Sequence, residues 1–151
     1  MEKREVITYI AEKLKSYGAT VLDYNGDSFI GIRNPNSTLD MAFAFYDEVF
    51  TVEFAFQAAR FSYDDYKDAP IYAEKLLTGK TVAVELFMQG KPIFGGTRET
   101  PDVSQISDKV GFAKWYACGN ETAETNILKF LSGESVSAQI FGWKESYEIK
   151  F

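Results

Sequence analysis

A chain of 151 residues with 46% hydrophobic and 25% charged content is long enough to bury a core without metals or disulfides, which excludes disorder and any need for a disulfide scaffold. One cysteine forbids an internal disulfide, and the absence of histidine removes Ser-His-Asp and Cys-His catalysis and His-ligated zinc together. The net charge of −6 disfavours nucleic acid, where a basic stripe is the expected footprint.

The first predicted element is an amphipathic helix over Glu2–Tyr17, with Val6, Ile10, Leu14 and Tyr17 on one stripe and Gly18 as its left-handed stop. The period then changes to two. "ATVLDY" and "SFIGIR" flank Asn25-Gly26, the strongest short hairpin signal, and "NPNS" makes the following turn.

The stretch Met41–Phe61 holds six of the thirteen phenylalanines. Antiparallel pairing of Leu39–Tyr46 with Val49–Phe56 sets Phe45 against Phe50, Phe43 against Val52, Met41 against Phe54 and Leu39 against Phe56. One face is then large and apolar and predicted to be core. The other carries Ala42, Ala44, Thr51, Glu53 and Ala55. Asp-Glu is a poor type I′ pair, so a four-residue loop is expected around Asp47-Glu48. Phe61 falls out of phase, which calls for a bulge near Ala58-Ala59 or a strand end.

A polar loop, "SYDDYKD", leads to a short helix over Ala69–Thr78, capped by Asp68 and stopped by Gly79. "TVAVELFM" and "PIFGGTR" read as strands, with a bulge or kink at Gly95-Gly96 and Arg98 free to meet an anion. The region Glu99–Gly111 reads as a long loop. A second helix over about Glu121–Leu131 starts at an Asn120 cap, and "SVSAQIFGW" and "SYEIKF" close the chain as a strand pair. The expectation is one α+β domain spanning 1–151: a mainly antiparallel meander packed by an N-terminal helix and two further short helices.

Four features invite a chemical reading. Gly79-Lys80-Thr81 resembles the end of a P-loop, but Glu74 stands where the first glycine belongs, and the triplet follows a helix instead of preceding one. Cys118 precedes a predicted helix, yet it has no imidazole to activate it and is expected to be a small half-buried apolar side chain. Glu85 alternates with Ala83 and Phe87 and is expected to face solvent. Trp115, Tyr116, Trp143 and Tyr147 suit either a binding hot spot or a core rim.

Charge distribution is more telling than its total. Asp40–Glu74 contains eight acids and two bases, 2 − 8 = −6, and the remaining fourteen acids and fourteen bases cancel. An unbalanced window of this kind steers basic partners. The contact residues expected on it are Tyr46, Asp47, Glu48, Glu53, Tyr63, Asp64, Asp65 and Tyr66.

"FTVEFAFQAARF", a polar break, a short helix, "KTVAVELFMQGKPIFGG" and an aromatic closing strand pair resemble small bacterial α+β proteins, some of them similar to immunity proteins of polymorphic toxin systems. The resemblance implies a non-enzymatic protein binder that neutralises a basic toxin. Where such proteins carry histidines after the Phe-Gln pair, this chain has Ala58 and Arg60, so no metal or catalytic role carries over.

The expected function is therefore binding of a basic protein in the cytoplasm, with no cofactor, nucleic acid or membrane involved. The alternatives are a small-molecule-binding domain, or a histidine-free enzyme, with its pocket on the small-residue face lined by Ala42, Ala44 and Ala55. A further alternative is a homo-oligomeric module pairing through "SYEIKF".

Overall fold

A computed structural model describes residues 2–151. The described residues form an α+β fold with four α-helices and two antiparallel sheets, and the contacts group into two compact units. The first runs to Lys80 and includes Gly142–Glu145. The second comprises Thr81–Phe141 and Ser146–Phe151.

In the first unit, α1 spans Lys3–Lys13 and a 3-10 turn continues over Lys15–Tyr17. Val6, Ile10 and Leu14 are fully buried, as their spacing requires, and Gly18 ends the segment at φ 85. The sheet is a meander in chain order: β1 (Thr20–Tyr24), β2 (Asp27–Ile32), β3 (Met41–Phe45), β4 (Val49–Phe54) and β5 (Gln57–Ser62). Asn25 and Gly26 both take positive φ, 51 and 83, the requirement of a type I′ turn between β1 and β2.

The β3–β4 register is the one alternation demands. Met41 pairs with Phe54, Phe43 with Val52 and Phe45 with Phe50, and all six are buried. Asp47 and Glu48 are not among the residues with positive φ, so their turn is not type I′.

Leu39 and Phe56 do not extend this ladder. The strand stops at Phe54, and a two-residue turn at Ala55-Phe56, with Ala55 at φ 53, starts β5 antiparallel to β4. That turn replaces the expected bulge and explains the change of phase: Phe61 is brought opposite Phe50, and Phe56 is left 56% exposed outside the core.

Asn34 closes the unit's interior. Only 4% exposed, it donates from Nδ2 to the carbonyls of Leu39 and Trp143, both at 3.0 Å, and its Oδ1 accepts from Asn36 N at 2.9 Å. Its backbone N–H reaches Asp40 Oδ1 at 2.8 Å. The Trp143 ring, itself buried, lies 5.8 Å from Phe54. Helix α2, Asp68–Leu77, buries Ala69, Pro70, Ala73, Leu76 and Leu77. Asp68 is its first residue and not its cap; Lys67 holds that position with no side-chain hydrogen bond.

In the second unit the strand order is β7 (Lys91–Glu99), β6 (Thr81–Met88), β8 (Val136–Phe141), β9 (Ser146–Lys150). Val82, Val84, Leu86, Val136, Ala138 and Ile140 face one core with Ile106, Phe112, Trp115, Tyr116, Ile127 and Leu131.

The expected long loop, Glu99–Gly111, contains a 3-10 turn, Val103–Ile106, and its last three residues open an unexpected third helix, α3, Lys109–Ala117. This helix is largely apolar and so lacks a stripe to read. Its start is fixed locally: Asp108 Oδ1 accepts from Gly111 N at 2.7 Å, and a Cβ on Gly111 would sit 2.2 Å from the Gln105 carbonyl. Helix α4, Glu121–Leu131, has its expected cap, with Asn120 accepting from Ala123 N at 2.9 Å.

Candidate protein-binding surface

The β4–β5 ladder pairs Val49 with Ser62, so the start of β4 and the end of β5 lie at the same end of the sheet. The turn Tyr46–Glu48 precedes that end, and a 3-10 turn, Tyr63–Asp65, follows it. Six of the eight candidate residues, Tyr46, Asp47, Glu48, Tyr63, Asp64 and Asp65, are therefore assembled from two sequence segments.

Their footing is aromatic. Phe50 is fully buried, with Phe45, Phe61 and Tyr63 at 5.4, 5.5 and 5.6 Å between ring centroids. Tyr63 donates its hydroxyl to the Tyr46 carbonyl, tying the two turns together. Burial, and then the negative charge of Asp47, push the Tyr63 phenol above its usual value of 10.0.

Asp47, Glu48, Asp64 and Asp65 are exposed, and no ion pair reaches them among the described residues. Asp65 accepts a hydrogen bond from Ser62 Oγ at 3.0 Å, which leaves its charge uncompensated. Tyr46 is 52% exposed beside them.

The other two candidates sit elsewhere. Glu53 is four residues along β4 from Val49, about 13 Å at the rise of a strand. Tyr66 is half-buried and packs edge-on against Tyr9 of α1 at 4.9 Å. Glu53 instead joins Ala42, Ala44, Phe29, Tyr46 and Asp47 in an open cleft of about 560 Å³ on the small-residue face. Ala55, expected there, belongs to the turn between β4 and β5.

A second cleft, about 470 Å³, gathers Lys13, Lys67, Lys75 and Lys80 with Tyr9 and Glu74. Sequence reading missed it because these lysines come from four separate positions; their convergence is produced by the fold alone.

Several other expectations are corrected. Glu85 is buried, 7% exposed, and does not face solvent, and its strand neighbours Ala83 and Phe87 are buried with it. Alternation identified its face but could not reveal that both faces of β6 are covered. Cys118 is exposed, not half-buried; it lies just before α4, as expected, and also ends α3 in a left-handed conformation, φ 52.

Gly95 and Gly96 lie in regular ladder opposite Glu85 and Val84; the irregularity falls between Leu86 and Phe87. Arg98 is committed internally. Its Nε donates to the Tyr116 carbonyl at 2.7 Å, and its guanidinium lies 4.1 Å from the centre of the Tyr116 ring. A Cβ at Gly96 would meet Arg98 Nη1 at 2.8 Å, so that glycine leaves room for the guanidinium. Burial pushes the Tyr116 phenol up, against the opposing pull of Arg98. Trp115, Tyr116 and Trp143 are buried.

Among the described residues no helix is long and apolar enough to cross a membrane. Comparison of the chain with protein-family models, with curated proteins and with solved structures finds no match.

Proposed function

We propose that this protein is a cytoplasmic, non-enzymatic binder of a basic protein, of the kind immunity proteins represent, and that it acts by covering its partner with the acidic end of the first sheet. The observation that carries this reading is the set of four exposed carboxylates, Asp47, Glu48, Asp64 and Asp65, none of them in an ion pair among the described residues. Uncompensated like charges at one end of a domain repel one another and contribute nothing to its stability. A partner that neutralises them gains both steering and complementarity. Tyr46 and Tyr63 add amphipathic rings of the type enriched in binding hot spots.

The test is to look for a basic toxin domain in the reading frames adjoining this chain's and to follow its association with the protein at increasing ionic strength. Asp64→Lys with Asp65→Lys should slow association by roughly tenfold or more and flatten its salt dependence. Unchanged kinetics would remove the acidic end from the interface.

A second reading, a small organic ligand on the alanine face, is favoured by the cleft that Ala42, Ala44 and Glu53 line. Ligand-induced shifts of Ala42 and Ala44 methyl resonances would select it, and their absence across a metabolite library would count against it.

A further inference from the structure

Each sheet ends in two edge strands, β1 and β5 in the first unit, β7 and β9 in the second. Three of them carry features that discourage pairing with another chain. β7 begins Lys91-Pro92 and has a ladder irregularity opposite Leu86/Phe87. β9 presents Glu148 and Lys150, 3.8 Å apart. β5 carries Arg60 and runs directly into a 3-10 turn.

β1 differs. Thr20–Tyr24 contains no lysine, arginine or proline, and all five residues are exposed: Val21 45%, Leu22 44% and Tyr24 71% among them. Its one charge, Asp23, accepts a hydrogen bond from Ser28 of the neighbouring strand. A regular edge strand of this composition offers backbone donors and acceptors together with apolar side chains.

We propose that β1 pairs antiparallel with β1 of a second copy of this chain, so that two five-stranded sheets become one. The register that pairs all five residues of both strands is centred on Leu22, which then faces its own counterpart. Thr20 faces Tyr24, and Val21 faces Asp23, so no like charges are directly opposed.

The occupant is favoured by charge. Val21 and Asp23 line a cleft with Lys3, Arg4, Ile7 and Thr8 of α1. The two-fold operation carries Asp23 of one copy to Val21 of the other, and hence toward that copy's Lys3 and Arg4, twice per dimer. On the opposite face Leu22 packs over Gly31 of its own sheet yet stays 44% exposed, and that exposed surface is what the second copy's Leu22 would cover.

Sedimentation velocity on the full chain tests this, with circular dichroism to confirm that each variant is folded. The wild type should dimerise. Leu22→Lys and Leu22→Glu each set like charges face to face at the two-fold axis and should weaken the dimer by about tenfold or more. An equimolar mixture of the two should recover a dimer, because opposite charges then meet. A monomeric wild type overturns the proposal. So does a Leu22→Lys variant that dimerises as the wild type does, or a mixture that stays monomeric while both variants are folded.

Discussion

Replacing Asn34 by alanine removes three hydrogen bonds in one step: Nδ2 to the Leu39 and Trp143 carbonyls, and Oδ1 from Asn36 N. The bond to Trp143 is buried and the other two partly so. At about 1 kcal/mol net for each bond, with more where a buried group is left unpaired, Asn34→Ala should cost about 2–4 kcal/mol. Against a total of about 5–15 kcal/mol for a domain, that is a large fraction. Equilibrium urea unfolding is the assay.

Asn34→Asp sharpens it. A carboxylate oxygen in the Nδ2 position would face two carbonyl oxygens and lie near Asp40, so the folded state raises this carboxyl above its unfolded value near 3.9. A raised folded value means that the variant is closest to wild type below about pH 3.9 and falls behind as pH rises through the folded value. The measured quantity is the gap between variant and wild type across that range, which cancels the titration of other groups. An Asn34→Ala cost below about 0.5 kcal/mol, or an Asn34→Asp gap independent of pH, would refute the account of Asn34 as the satisfied polar centre of the first unit.

Phe50→Ala should cost about 3–5 kcal/mol in the same assay, since Phe50 is fully buried among three rings, whereas Phe56→Ala, at an exposed turn, should stay within about 0.5 kcal/mol. In a spectrophotometric titration, Tyr63 and Tyr116 should ionise above the usual 10.0; Tyr63→Phe should delete one late component, and Asp47→Asn should bring it earlier. Because both phenols are raised on folding, the stability they contribute is present below pH 10 and is lost as pH climbs through their folded values. Arg98→Lys should destabilise by about 1–2 kcal/mol, since an ammonium cannot both donate from the Nε position to Tyr116 and stack flat on its ring.

What the sequence made legible is what has a period or a local chemical signature. The β3–β4 register followed from alternation alone, the Asn25-Gly26 turn from its need for two positive φ values, and α4 from its stripe and its Asn120 cap. Helix α3 has none of these: Phe112, Ala113, Trp115, Tyr116 and Ala117 are all buried, so no polar face marks its period.

The Ala55-Phe56 turn was hidden for another reason. Alanine at positive φ carries no turn signal, and the apolar run continues through it. Burial of Glu85 is a tertiary fact that alternation cannot supply. The acidic window was visible as a charge count, but that its carboxylates come from two turns at one sheet end depends on the β4–β5 hairpin, which sequence reading had not placed.

The bond from Asn34 to Trp143 joins residues 109 apart in the chain. Seen from a ribosome, the first eighty residues emerge with their alternation and helices in place, yet Phe54 has no indole beside it and the Asn34 amide has one acceptor too few. Everything from Thr81 to Phe141 must be synthesised before Gly142–Glu145 can supply them. The first eighty residues therefore wait for a segment about sixty residues further on, and severing the chain at Lys80 would give a fragment with an unfilled seat in its interior, not an autonomous module.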